Sequence, residues 1–598
     1  MNPAGPGHHM MAMMATGGFA ARLGKVTAPT VIIHGDADPL VHLKGGKHSA
    51  ESISHATLEV VPGMGHEFPP SLYTRITDSI IENFPTPAAT ASSRVETSPS
   101  GEVPDVEVLI AGAGFSGLGV AIKLKEAGLS DFLILERANE VGGTWRDNTY
   151  PGCACDVQSH LYSYSFETKA DWSRKYAGWK EIGQYLRNCA AKYDLYSHIK
   201  FGVEWKGAQY DEQAGLWRVQ VSGGKLISAR ALVMAVGPLS NPAIPDIPGL
   251  DEFRGQRFHS ATWEHDYDLS GKKVAVIGTG ASAIQFVPEI AKKVSKLSLF
   301  QRTPAWVLSK EDRSFSPREI RRFQRSPTFH QAYRSRIYWR SEFLLRALVN
   351  PDSRFNRIAE KRGLDNLHKH VKDKALREAL TPAYPIGCKR VLLSDNYYPS
   401  LVRDNVDLIT TGIEKISADG IHDVLGGFHP VDAIIWGTGF TASDPLGGLS
   451  LQGRDGQCLR EVWKSNDYQS YLGIVAHGFP NMFLMTGPNT GLGHTSIVVM
   501  IEAQANYIIQ ALKHLSRGVV RSLEVRTDVQ ETFSKEVQDK LQGTVWTSGC
   551  SSWYHLASGK NFAIWPDYTF RYKERCEQLN MSDYKVNSQP NSEHEDSV

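Results

Sequence analysis

Residues 142–156 read GGTWRDNTYPGCACD and set two thiols, Cys153 and Cys155, beside an acid, Asp156. A flavin disulfide reductase needs two cysteines that can form and exchange a disulfide next to the flavin. An extended C-x-C points its side chains to opposite faces, which argues against thiol catalysis and leaves Cys153 and Cys155 to line or pack beside a nucleotide. Further along, AYPIGCKRVLLSDNYYP carries the adjacent cations Lys389 and Arg390 ahead of an apolar segment. Such a pair is often a solvated corner. As chemistry, a permanent planar guanidinium can stabilise a developing anion.

These groups need a scaffold, and two stretches supply one. VEVLIAGAGFSGLGVAIKLKEAGL reads as an apolar strand, a G-x-G-x-x-G turn and an amphipathic helix. Gly112 permits the tight turn, Gly114 close approach of a pyrophosphate and Gly117 close helix packing, with Ser116 inside the turn and phosphates at the helix N-terminus. A second strand, FLILE, ends in Glu136, whose carboxylate can bind ribose hydroxyls. KKVAVIGTGASAIQFVPEI repeats the pattern with Gly278, Gly280 and Ser282, and Ala283 stands at the third glycine's place. Arg302 lies 24 residues after Gly278, the offset that separates Glu136 from Gly112. An acid repels a 2′-phosphate and a guanidinium binds it, so the first site suits FAD and the second NADPH, with Thr303 beside Arg302.

The remainder of the opening stretch carries a resemblance. Gly143, Trp145, Tyr150, Pro151, Gly152 and Asp156 match the pattern [AG]GxWxxxx[FY]P[GM]xxxD, and FRGQRFHSATWE supplies Phe253, Gly255, His259 and Trp263 of FxGxxxHxxxW. Glu264 departs from the Pro or Asp usual at its place. The chain from about residue 105 to 575, including GPNTGLGHTS and WTSGCSSWYHLASGKNFAIWP, resembles the Baeyer-Villiger monooxygenases. That resemblance implies an FAD- and NADPH-dependent enzyme that inserts one oxygen atom of O2 into a small-molecule ketone, through a C4a-peroxyflavin, to give an ester or lactone. It implies that Arg390 stabilises the anionic peroxide and adduct, that Asp156 orients Arg390, and that Lys389 reaches the NADPH 2′-phosphate. His259 is matched to a residue coupling NADPH binding to domain movement. Thr144, Trp145 and Asp147 are expected at the flavin, and Tyr162 reads equally as cofactor contact or core. The alternatives are oxygenation of nitrogen or sulfur, the remnant of a hydrolase–monooxygenase fusion, or a non-catalytic binding protein. A bulky steroid-like or secondary-metabolite ketone is suggested by the resemblance alone.

The expected fold is α/β with two dinucleotide-binding Rossmann-type domains, a helical insertion and a partial α/β-hydrolase segment in front. The expected boundaries are 1–84 for the hydrolase-like segment, 85–105 for a Pro/Ser/Thr-rich linker and 106–258 for the first FAD part. The NADP domain takes 259–312 and 385–425 around an insertion at 313–384. The second FAD part takes 426–578 and a disordered tail 579–598. In the hydrolase-like segment Asp38 and His66 stand at the acid and base positions, with strand, loop, strand, loop, helix expected over 28–84, yet the 598 residues contain no G-x-S-x-G.

A chain of 598 residues is too long for one core. With 65 Lys+Arg against 64 Asp+Glu, its net charge of +1 gives no electrostatic case for nucleic acid or an anionic membrane. No apolar run approaches the roughly 18 residues of a span, so no stable membrane association is expected. Seven cysteines without paired spacing suggest free thiols in a reducing, cytoplasmic compartment.

Overall fold

Near-continuous apolar runs such as VEVLIA and KVAVI form strands buried on both faces, as parallel sheets require. In the computed structural model the chain divides into two units, Met1–Pro99 and Ser100–Val598. The structure describes residue 23 and residues 30–39, 41–54, 56–65, 102–441, 446–516 and 520–588.

In the first unit β1 (Thr30–Gly35) pairs in parallel with β2 (Ala56–Val61), Thr30 opposite Ala56. The connection, expected as a loop, contains helix α1 (Leu43–Ser52). Its LKGGKHSAES sequence hid it, because two glycines lower helix propensity. Asp38 Oδ1 accepts from the Val41 amide at 2.9 Å. His66 and the expected helix after it lie outside the described residues.

The first sheet of the second unit contains β3 (Val106–Ala111), followed by helix α2 (Phe115–Glu126), β4 (Phe132–Glu136) and β5 (Leu226–Met234). Its parallel order is 199–201, β4, β3, β5, then Met482–Leu484. An antiparallel meander through Trp205–Asp211 and Leu216–Val221 joins the first half of β5, on the same edge as Met482–Leu484. The second sheet is built from β6 (Gln256–His259), β7 (Lys273–Ile277), helix α3 (Ala283–Ile290), β8 (Lys296–Phe300), β9 (Val406–Ile409) and β10 (Ala433–Trp436). All its strands are parallel, in the order β9, β8, β7, β10, β6. Both sheets therefore place the third, second, first and fourth strands of their βαβ series side by side, the doubly wound arrangement whose ligand crevice lies at the strands' carboxyl ends.

Two expected boundaries move. β6 and β10 hydrogen-bond into the second sheet, so that sheet includes 256–259 and reaches 436, where the sequence reading changed domain at 258/259 and 425/426. AIIW is equally apolar whichever sheet receives it, and only pairing decides. The tail also differs: Tyr584–Ser588 pairs antiparallel with Val520–Val525, and Tyr584 Oη lies 2.8 Å from Tyr507 Oη. The alternation in YKVNS was masked by the polar residues around it. Residues 589–598 lie outside the described residues.

Between β8 and β9 stand helices α4 (Pro317–Arg325), α5 (Pro327–Leu348) and α6 (Arg354–His370), then Lys374–Ala379. Each starts at a side-chain cap: Ser316, Ser326, Ser353 and Asp373 accept the amides of Glu319, Phe329, Asn356 and Leu376. Ser316 and Glu319 close a capping box. No helix among the described residues is long and apolar enough to cross a membrane.

Candidate active site

The two glycine turns are built alike. Gly112 and Gly278 both have φ of +103°, and a Cβ there would meet the carbonyl oxygen of Ala235 at 2.6 Å or of Gly437 at 2.5 Å. Each oxygen belongs to the chain leaving the neighbouring parallel strand, so only glycine fits. Around the first turn, Gly114 and Gly143 face each other, and a Cβ on Gly143 would approach Gly114 Cα at 3.2 Å. This bare backbone cradle at the start of α2 fits a pyrophosphate. Gly117 is buried in α2, where a Cβ would collide with Gly112 O, and Ser116 is buried beside it.

Glu136 ends β4 and is 4% exposed. It accepts the amides of Ala113 (3.0 Å) and Ala138 (2.9 Å) and pairs with Arg146 at 2.9 Å. Its remaining lone pairs fit ribose hydroxyls. Thr144 starts the one-turn helix Thr144–Asp147 and is exposed, whereas Asp147 is taken up by Arg146 at 2.7 Å. Trp145 Nε1 donates to Tyr162 Oη at 3.1 Å, and Phe115 packs edge-on to the Tyr162 ring. Tyr162 thus touches both the glycine turn's helix and the G-G-x-W segment.

The Y-P-G-x-x-x-D segment docks on helix α3, which follows the first strand of the second sheet's βαβ series. Tyr150 Oη donates to Gln285 Oε1 at 3.0 Å, and Gln285 exchanges hydrogen bonds with the Ala154 backbone. Gly152, at φ +79°, would drive a Cβ to 2.6 Å from Gln285 O. This contact delivers Asp156 to Arg390, whose Nη2 donates to Asp156 Oδ2 at 2.5 Å. Arg390 is recessed, yet 43% of its side-chain surface remains open. The Asp156 charge, outweighing desolvation, raises the Arg390 pKa. Burial works against the Asp156 carboxylate, but Arg390 still holds it below the usual range. The pair stays ionised, with one guanidinium face free for an anion.

Cys153 and Cys155 are 5% and 4% exposed, and burial pushes both thiols up, Cys153 to about 12. A protonated buried thiol is a poor nucleophile, in keeping with packing rather than exchange. Cys388 and Cys550, however, form a disulfide across 162 residues, correcting the expectation of free thiols throughout. Local spacing could not reveal a pair so far apart in sequence. This bond ties the residue preceding Lys389 to the segment carrying Tyr554.

At the second site Arg302, Thr303 and Tyr384 line a cavity of about 330 Å³, with Glu378 on its rim. The Lys389 Nζ lies 5.1 Å from the Tyr384 ring centre. Burial first, then the positive charge of Arg302, lowers the Lys389 pKa. Two cations held close enough to repel make a fit for a multiply charged phosphate. A Cβ on Gly280 would make only an ordinary contact, 3.9 Å from Gly437 O, and Ser282 precedes α3. His259 ends β6, 2% exposed, with Nδ1 accepting the Ala261 amide at 3.1 Å; burial keeps its ring neutral. That is a packing position at a sheet edge. Glu264, the departure from the second signature, is exposed.

Sequence reasoning missed Lys310, Tyr554 and Gln285. Lys310 is half-buried, its pKa lowered by desolvation while Cys155, Asp312 and Asp156 work to restore it. The Tyr554 hydroxyl, driven up by burial to about 12, is drawn back by the nearby Arg390. Tyr554 sits in the quoted WTSGCSSWYHL segment; Lys310 and Gln285 carry no motif signal.

Residues 109–334 match the pyridine nucleotide-disulphide oxidoreductase family. A Baeyer-Villiger monooxygenase of Pseudomonas aeruginosa is 47% identical over 486 residues, 81% of this chain and 92% of that protein. Among solved structures, OTEMO in complex with FAD and NADP matches with a TM-score of 0.73 at 27% identity, over 81% of this chain and 100% of its own. An oxidized steroid monooxygenase bound to NADP matches at 0.72 and 29%, over 80% and 99%.

Proposed function

This chain belongs to the Baeyer-Villiger monooxygenases, and from that premise we propose that Arg390, held by Asp156, is the fixed cation of an NADPH-dependent oxygen insertion into a ketone. FAD binds on the Gly112–Gly117 turn with Glu136 on its ribose and Thr144, Trp145 and Tyr162 along its length. NADPH binds on the Gly278–Ser282 turn with its 2′-phosphate between Arg302 and Lys389. When bound and reduced, the flavin supplies activation of O2. The chain's own residues do the rest. Arg390 presents a permanent charge to the anion that develops beside the ketone carbonyl, and Asp156 fixes the direction of that charge. Desolvation around the pair strengthens both effects.

The observation that carries this reading is the Arg390–Asp156 pair itself, ionised, recessed and partly open on one side. The apposed cations Lys389 and Arg302 support the choice of NADPH over NADH. Arg390→Ala tests it directly: NADPH oxidation should persist with release of hydrogen peroxide, while ester formation falls by about 10²- to 10³-fold, as when an anion-stabilising donor is lost. Retained ester formation would remove Arg390 from its role.

A further inference from the structure

The net charge of +1 conceals an uneven distribution. Residues 313–384 hold 17 Lys+Arg against 7 Asp+Glu. Their helices also carry exposed large apolar side chains: Trp339 (57% exposed), Phe343 (48%) and Leu344 (49%) on α5, with Val349 and Ile358 nearby. The rings form two pairs along α5. Trp339 packs 6.0 Å from Phe570, and Phe343 meets Phe355 of α6 edge-on at 5.4 Å. Arg346 lies over Phe343 and Arg354 over Phe355.

The arginines of this face, Arg336, Arg346, Arg354 and Arg357, are exposed and form no ion pair among the described residues. Six of the insertion's seven acids are engaged elsewhere: Glu319 with Arg313, Asp365 with Lys361, Glu378 with Lys374, Glu342 buried against Thr569, Glu360 accepting the Ile386 amide and Asp373 the Leu376 amide. Asp352 is the exposed acid next to this face in sequence. An exposed aromatic and aliphatic surface of this kind marks an interaction site, and a rim of unpaired arginines calls for an anionic partner. Nucleic acid would leave the apolar centre without a complement. A lipid surface satisfies both parts, headgroups against the arginines and acyl chains against Trp339, Phe343 and Leu344.

We propose that the outer face of α5 and α6 docks peripherally on an anionic phospholipid surface. This revises the expectation drawn from net charge, which averages over the chain a field that decays within about 10 Å. The inner face of α5 packs against the loop that carries Arg390: a Cβ on Gly387 would strike Leu348 at 2.4 Å. Docking would set the reaction crevice beside the bilayer, where apolar ketones concentrate. That consequence rests on the ketone reading; the docking does not.

The test is sedimentation of the full-length, FAD-loaded protein with vesicles of phosphatidylcholine alone or mixed with phosphatidylglycerol. Binding should require phosphatidylglycerol and weaken with salt. Arg346→Gln with Arg354→Gln should cost about 25-fold in partition, roughly fivefold per arginine, and Trp339→Ser with Phe343→Ser should abolish binding. Both variants should keep FAD content and turnover of a small water-soluble ketone. Absence of vesicle binding, or binding unchanged in the variants, overturns the proposal. So does a wild-type dimer in solution that the apolar variant dissociates, which would give the face to a second copy. Loss of soluble-ketone turnover with vesicle binding retained would assign it to the substrate path and equally overturn it.

Discussion

A cation set beside cofactor sites needs a counter-ion, and a catalytic one needs open surface; Arg390 has both, with Asp156 on one edge of its fork and 43% of its side-chain surface open. At the second nucleotide site the logic is inverted, since Arg302 acts on Lys389 as a like charge. Arg302→Ala should raise the KM for NADPH by about 10- to 100-fold, as expected for losing a charge-assisted hydrogen bond of about 1.5–3 kcal/mol, and leave the KM for NADH nearly unchanged. Steady-state kinetics with both cofactors checks this, and an equal rise for both would remove Arg302 from the 2′-phosphate. The thiols give an independent test. At pH 8 an alkylating reagent should label Cys458, which is half-buried, and spare Cys153 and Cys155 in the native protein. Peptide mapping that finds Cys153 modified before unfolding would contradict their packing role. Arg302, Lys389 and Arg390 were legible in sequence because their meaning follows from offset and motif. Lys310 and Tyr554 were not, since their proximity to Asp156 and Arg390 is created by folding together segments from four parts of the chain.

Among the elements, the Tyr150–Asp156 turn links the segment after the first glycine site to helix α3 of the second. Gly152 is required there twice, by its positive φ and by the carbonyl of Gln285 that a Cβ would meet. Gly152→Ala should lower stability by about 1–3 kcal/mol from backbone strain alone, seen as a lower Tm. It should also reduce ester yield per NADPH oxidised, because Asp156 rides on the same turn. A variant with wild-type Tm and yield would show that the turn relaxes freely. The strands and glycine turns of both sheets were readable from apolar runs and G-x-G spacing, and the insertion helices begin at the Ser and Asp caps visible in SPRE, SPTF, SRFN and DKAL. Helix α1 and the strand Tyr584–Ser588 were not readable, the first for its glycines and the second because its partner is more than 60 residues away. The sheet membership of β6 and β10 depends on pairing that no local pattern encodes.

Across the whole molecule, the described residues proposed for catalysis and cofactor binding lie in the unit Ser100–Val598, whose two sheets share one strand order and each carry a glycine loop after their first strand. The duplication and the concentration of positive charge on one insertion are visible in sequence; the Cys388–Cys550 link is a property of the folded chain. The central claim is that this unit transfers one atom of O2 into a carbon–carbon bond beside a ketone carbonyl. Its most direct test is to supply the full-length enzyme with FAD, NADPH, 18O2 and a panel of cyclic and open-chain ketones, and to record product mass against NADPH consumed. An ester or lactone carrying a single 18O atom, formed in step with NADPH oxidation, is the predicted result. NADPH oxidation that yields only hydrogen peroxide with every ketone, while an added amine or sulfide is oxygenated, would contradict it.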